Sequence, residues 1–243
     1  MVTEAMVIRI LCGGLVALGL ITAAVAGDIK IQEWKFDKDT PGQVPSGFTP
    51  GKLHSEGGRW EVAADAKAPS PSNVLVRAAT ARSEKEPQII FIDGLEAGSL
   101  DLTVRLIEPS AGESQGGGVV FRASDEQNYY VVWLSSEEKL LRLDKVVNGE
   151  ISHIQDLMVD TGEPGKWHTL RLLIHGPVME AIFNNRQFLS GREEKWEFGS
   201  YKKGKIGLWA KGKGAVYFDT VRYTNMDDTS ASQNPFGTEP RGR

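Results

Sequence analysis

The chain carries one cysteine in 243 residues, Cys12, and that scarcity excludes several chemistries at once. A lone cysteine forms no internal disulfide, no Cys-x-x-Cys redox pair and no thiolate zinc site. There is also no surplus of positive charge: 28 Lys and Arg stand against 32 Asp and Glu, for a formal net charge of −4. Such a balance leaves no electrostatic footprint for nucleic acid. The four histidines, His54, His153, His168 and His175, have no metal-ligand spacing such as His-Glu-x-x-His. Gly116-Gly117-Gly118 leads into a strand, so it lacks the helix N-terminus on which a phosphate loop depends. No serine sits in a Gly-x-Ser-x-Gly elbow. Beyond the first 26 residues no segment is apolar enough to cross a bilayer, and none has the periodicity of an amphipathic helix.

The two ends differ from the rest. Arg9 precedes an uncharged apolar run from Ile10 to Ala26 that closes on Ala24-Val25-Ala26, the pattern of a secretory signal helix over residues 1–26. Cleavage after Ala26 would send the protein to the periplasm or outside the cell, with no integral membrane segment; retention as an anchor is the alternative. Cys12 begins the apolar run, whereas a lipid-modified cysteine belongs at its end, so the mature chain would have no thiol. From Thr224 to Arg243 the sequence is polar, with Phe236 its one aromatic. Such a segment cannot bury enough surface to offset its ordering entropy, and we expect a disordered tail over residues 224–243. Roughly 190 residues, 27–223, then remain for a single domain.

Within that domain, short apolar runs alternate with turn signals: Pro41-Gly42, Pro45-Ser46-Gly47, Asp93-Gly94, Asn148-Gly149 and Gly176-Pro177. The spacing predicts many short antiparallel strands in an all-β, two-sheet sandwich. Side chains on a strand alternate between faces. Leu100, Leu102, Val104 and Leu106 therefore form a core row, as do Val119 with Phe121, Tyr130 with Val132 and Leu134, Leu141 with Leu143, and Leu170 with Leu172. The outward rows offer Arg105, Arg122, Tyr129, Trp133, Arg142, Asp144 and Arg171. If these strands are neighbours in one sheet, rings lie beside guanidinium and carboxylate groups, which is what a sugar-binding face needs. A solvated sheet face whose arginine stems cover apolar neighbours is the other reading of the same rows.

Taken in order, Gly117-Gly118-Val119-Val120-Phe121-Arg122, Asn128-Tyr129-Tyr130-Val131-Val132-Trp133, Trp167-His168-Thr169-Leu170-Arg171 and Gly204-Lys205-Ile206-Gly207-Leu208-Trp209 resemble the concanavalin A-like lectin/glucanase superfamily, in particular its laminin-G-like bacterial members. The resemblance spans roughly Trp34 to Tyr223 and implies a jelly-roll sandwich. Glucanases of that superfamily use a Glu-x-Asp-x-x-Glu strand, which is absent here. The resemblance therefore implies a non-catalytic carbohydrate- or glycan-binding module. The closing Gly-x-Ile-Gly-Leu and Phe218-Asp219 are also similar to the 3-keto-disaccharide hydrolase family, which implies a hydrolase instead. A structural envelope module that binds protein is the third alternative. Some superfamily members hold a structural calcium through an acid on the last strand, and Asp219 matches it, with carbonyls near Phe36 or Gly57 as co-ligands. A strand-end cap is the other role open to Asp219.

Overall fold

The computed structural model describes residues 30–53, 59–79, 87–109, 115–162, 165–192 and 201–227. The signal segment, His54, Gly57 and the tail beyond Asp227 lie outside the described residues. Among the described residues the chain forms β1 (Ile31–Trp34), β2 (Phe48–Pro50), β3 (Trp60–Ala64), β4 (Asn73–Arg77) and β5 (Gln88–Ala97). There follow β6 (Leu100–Ile107), β7 (Gly116–Asp125), β8 (Asn128–Ser135), β9 (Leu140–Val147) and β10 (Glu150–Met158). The series ends with β11 (His168–His175), β12 (Val178–Phe183), β13 (Gln187–Arg192), β14 (Gly204–Lys211) and β15 (Val216–Asn225).

The strands build two antiparallel sheets packed face to face. The first has the order β13-β12-β11-β6-β15-β4-β3, with β1 paired to β15; the second runs β10-β9-β8-β7-β14-β5-β2. Nearly every predicted strand is present. The sequence reading missed β2 and β13, each at a sheet edge and neither cleanly alternating. Pro50 is tolerated in β2 because an edge strand has one side free of ladder bonds. The last strand runs past Tyr223 to Asn225, and Asp227 beyond it accepts from the amides of Gly98 and Ser99 at 3.0 and 2.6 Å. The ordered chain thus extends four residues into the segment expected to be tail.

Alternation sets the interior. Leu100, Leu102, Val104 and Leu106 of β6 face Phe121, Tyr130, Val132 and Leu143 of the second sheet in one cluster, all fully buried. Each such side chain contributes about 1.5–3 kcal/mol relative to exposure. Register shifts interrupt the second sheet in β7 after Phe121, in β10 between His153 and Gln155, and in β14 between Lys205 and Gly207. A bulge changes which residues of a strand share a face.

Glu108, just past β6, is 3% exposed, and neither carboxylate oxygen has a well-formed hydrogen bond, although Ser136 lies close. Burial, with Glu137 adding a smaller repulsion, pushes its carboxyl up to about 8. The folded protein therefore keeps a proton that the unfolded chain loses near pH 4.5. Stability should fall as pH rises between those two values, by about 1.4 kcal/mol per pH unit at most, and level off above them. Urea unfolding at pH 5.5 and 8.5 checks this: Glu108→Gln should narrow the difference between the two midpoints.

Candidate functional site

The outward face of the second sheet carries its own apolar layer. Ile89, Val120, Tyr129, Val131, Trp133, Val146 and Trp209 form a cluster separate from the main core. It exists because β7 opens with three glycines. Trp133 on β8 and Trp209 on β14 are both registered opposite Gly118, so their rings meet over a strand that has no side chains there. The ring centres are 5.1 Å apart at 39°. A Cβ on Gly118 would lie 2.6 Å from Trp133 Cβ, and one on Gly116 would collide with the Trp133 ring. Glycine is thus required for close approach and not for an unusual φ.

Polar groups fix this layer. Trp133 Nε1 donates to Asp144 Oδ2 at 2.7 Å, and His153 Nδ1 lies 3.0 Å from Asp144 Oδ1. A carboxylate only accepts, so His153 donates from Nδ1 and its Nε2 carries the lone pair when neutral. Nε2 is 3.6 Å from Asp156 Oδ1, and Arg142 Nε is 3.3 Å from the same oxygen. The Arg142 guanidinium sits 5.3 Å from the Trp133 ring centre, with Lys211 Nζ at 5.8 Å. These cations attract the ring face and close over it. Trp209 Nε1 donates to the Tyr129 hydroxyl at 3.4 Å, and burial pushes that phenol up to about 12. Lys211 is anchored from behind, since the buried Arg77 guanidinium bonds its carbonyl at 3.2 Å and that of Gly214 at 2.6 Å.

Between these groups opens a pocket of about 260 Å³, lined by Trp133, Arg142, Asp144, Ile151, His153, Asp156, Trp209 and Lys211. It offers an apolar floor, a buried carboxylate already engaged on both oxygens, and a half-exposed imidazole whose second nitrogen faces Asp156.

The predicted site residues do not share one face. Arg142 and Asp144 line this pocket, together with Trp133. Trp133 and Tyr129 do point outward, but they are 5% and 1% exposed rather than open platforms: the glycine trough takes the Trp133 ring, and Tyr129 is buried in the same apolar cluster beside Trp209. Arg122 falls at the β7 bulge with φ 50°. The turn carries its guanidinium to the end of the sandwich, where it bonds the carbonyls of Gly98 at 2.8 Å and Gly176 at 2.6 Å. It is a buried clasp between two turns. Arg105 and Arg171 belong to β6 and β11 of the first sheet, away from this face; Arg171 forms a two-pronged pair with Asp101 at 2.8 and 2.6 Å. That carboxylate raises the Arg171 pKa.

Five lining residues were missed, Ile151, His153, Asp156, Trp209 and Lys211. Trp209 lies on the outward row by plain alternation, since Ile206, Leu208 and Ala210 fill the main core, but tryptophans on strands are more often core and it was not singled out. His153 and Asp156 fall on opposite rows by alternation; the β10 bulge at Ile154 restores them to one face. Lys211 is a single lysine at a strand end, and no pattern marks it.

On the first sheet, Asp219 is fully buried and accepts from the amides of Ser70 at 2.7 Å and Thr220 at 2.6 Å. Beside it Asp37 accepts from Ser70 Oγ at 3.1 Å and the Asn73 amide at 3.2 Å. The Asn73 side-chain amide gathers the carbonyls of Phe36, Asp37 and Asp39 at 3.2–3.4 Å. Burial raises the Asp219 pKa, and the nearby Asp37 charge raises it further against the opposing amide bonds. Among the described residues no three His, Cys, Asp or Glu side chains group as metal ligands, so a cation here would need backbone oxygens too.

The fold is shared widely. A carbohydrate binding module, CBM66 from Bacillus subtilis, superposes with a TM-score of 0.56 at 16% identity, over 74% of this chain and 96% of that one. A Bacillus subtilis protein of unknown function with a galectin-like fold gives 0.55 at 11% identity, over 73% and 89%. The GH43 BlXynB protein from Bacillus licheniformis gives 0.51 at 17%, over 79% of this chain but 39% of that one. No curated protein sequence matches the chain. At these identities the superpositions establish the sandwich alone. The sequence itself, however, matches a family model over residues 33–226, from β1 through the end of β15, and the chain belongs to the 3-keto-alpha-glucoside-1,2-lyase-like domain family.

Proposed function

We propose that the protein binds a saccharide on the outward face of its second sheet, in the pocket above Trp133 and Trp209. The observation that carries this reading is the Asp144 carboxylate, which ties the Trp133 indole to the His153 imidazole and so fixes an apolar floor against a polar wall. Sugars need that pairing: rings or CH surface for the apolar side of a pyranose, and directional groups for its hydroxyls. Arg142 and Lys211 supply donors, Asp156 an acceptor. Family membership and the carbohydrate binding module among the similar folds support the same ligand class. The predicted export signal would place such binding in the periplasm or outside the cell.

A second reading is favoured by one detail, the orientation of His153. Asp144 accepts from Nδ1, so Nε2 carries the lone pair whenever the ring is neutral, the arrangement of a general base with its positioning carboxylate. On a 3-keto glucoside the proton at C2 is acidified by the neighbouring carbonyl. His153 Nε2 would take that proton, the C2–H electrons would form the C1=C2 double bond, and the C1–O bond would break. The aglycone leaves with the bond pair and takes a proton from water. Arg142 and Lys211 lie where positive charge would steady the enolate.

One pair of measurements separates the readings. Titration calorimetry with 4-nitrophenyl 3-keto-α-glucoside should show saturable binding that Arg142→Ala weakens about tenfold, or about 1.4 kcal/mol. Release of 4-nitrophenol should accompany it and vanish in His153→Ala while binding persists. Binding without release removes the elimination and keeps the lectin-like role; no binding overturns both.

The Asp219 corner suits calcium, which takes oxygen ligands from carboxylates and carbonyls in flexible number. Asp37, Asp219 and the carbonyls gathered by Asn73 would hold it, and the ion would relieve the repulsion between two acids that the buried site now carries. Its role is structural. Calcium should raise the thermal midpoint of the wild type over an EGTA control and leave Asp219→Asn unmoved. Equal midpoints with and without calcium in the wild type would leave Asp219 as a strand-end cap.

A further inference from the structure

A second cavity, of about 540 Å³, opens where β11 begins and the β12–β13 hairpin turns, lined by Asp160, Thr161, Lys166, Trp167, His168, Asn184 and Arg186 among others. It is distinct from the pocket on the second sheet and shares no residue with it. Its inner wall is His168, 5% exposed, whose ring packs on Phe183 at 4.9 Å. The hydrogen-bonding state of that ring follows from the backbone. The Thr169 amide donates to Asn184 Oδ1 at 3.0 Å, which fixes the orientation of the Asn184 amide. Asn184 Nδ2 must then donate to His168 Nδ1, 3.1 Å away. Nδ1 is the acceptor, so the proton of the neutral ring sits on Nε2, which has no protein partner among the described residues.

The ring is also kept neutral. Burial lowers the His168 pKa, and the charges of Arg105 and Lys166 lower it further, against the Asn184 bond and the weaker pull of Asp160. The cavity therefore presents a fixed neutral donor, a guanidinium and an ammonium, with one carboxylate. Asp160 is partly used, since its Oδ1 accepts the Gly162 amide at 3.0 Å. Neither Lys166 nor Arg186 has an ion-pair partner among the described residues. Behind them Arg105 has a buried Nε with no hydrogen bond. Lys166 and Arg186 are both exposed, so among the described lining residues two cations and the His168 N–H face the single carboxylate of Asp160. Trp167, half-buried against the outward face of the first sheet, adds apolar surface at the rim.

We infer that this cavity is a second saccharide site, selective for a sugar that carries a carboxylate. Lys166 and Arg186 would take the carboxylate, His168 Nε2 would donate to a ring or hydroxyl oxygen, and the Trp167 edge would meet the apolar side of the pyranose. The inference is independent of the pocket on the second sheet, and its ligand is recognised by charge rather than by a 3-keto group.

Titration calorimetry of the full chain with a galacturonate disaccharide and with its carboxyl-reduced counterpart tests it. The acidic sugar should bind at least tenfold more tightly than the neutral one, and Lys166→Ala with Arg186→Ala should remove that preference. Arg142→Ala, at the other pocket, should leave it intact. His168→Gln, a neutral replacement of similar length, should weaken both sugars together. No saturable binding of the uronate, equal binding of the two sugars, or a preference that survives the double substitution would overturn the inference. Sulfate binding as tightly as the uronate would overturn the sugar assignment.

Discussion

The arrangement of the second sheet depends on one hydrogen bond, from the Trp133 indole to the buried Asp144 carboxylate. An indole lying flat on a sheet surface needs two things: no side chains beneath it and a partner for its N–H. The glycines of β7 provide the first and Asp144 the second. Since the same carboxylate also accepts from His153, the apolar layer and the reactive-looking imidazole are set by a single group. Removing one partner of a buried charged hydrogen bond leaves the other uncompensated, so this link is expensive to break and holds the pocket's shape. Gly117 serves the opposite side of the same strand, where a Cβ would stand 2.5 Å from Val216 Cγ1. The glycine run thus spaces both faces of the sheet.

Polar side chains do the joining at the ends of the sandwich, where no ladder of backbone bonds reaches. Arg122 clasps the β5–β6 and β11–β12 turns, Arg77 clasps the end of β14, and Asp227 caps the amides that open β6. Burial lowers the Arg77 pKa only to about 10, so its guanidinium stays charged while bonding three carbonyls. The corner around Asp37 and Asp219 differs in kind. There like charges are brought together, and backbone amides and the Ser70 hydroxyl offset them. That contrast is the ground for proposing a cation at this corner.

How much of this was legible in the sequence divides along a physical line. Period-two alternation identified the core rows of β6, β8, β9 and β11 because both sheets bury one face against the other. It identified Asp144 and Arg142 as outward for the same reason. Alternation is blind to three things. It does not say which sheet a strand joins, so Arg105 and Arg171 were grouped with residues of the opposite sheet. It fails across bulges, which turned Arg122 inward and brought the pair His153 and Asp156 onto the pocket face. And it equates outward with exposed, which the buried Trp133 and Tyr129 contradict. Residues 224–227 read as tail from sequence because Asn225 and Asp227 act through backbone and capping bonds, which polar composition does not disclose. The resemblance in the closing strands pointed to the correct family, whereas the chemistry proposed for the pocket draws on side chains from β10 that no motif announces.

The most direct test watches the indole protons while ligand is added. The chain has six tryptophans, each with an indole N–H resonance in a nitrogen-15 correlation spectrum, and they report on separate regions: Trp133 and Trp209 on the proposed pocket, Trp60 on the main core. Titrated with 4-nitrophenyl 3-keto-α-glucoside, the Trp133 resonance should move in a saturable way, because its hydrogen is held by the carboxylate that also positions His153, while Trp60 stays in place. A spectrum in which Trp133 is unmoved at saturating ligand, or in which Trp60 shifts and Trp133 does not, would contradict the assignment of the saccharide to this face.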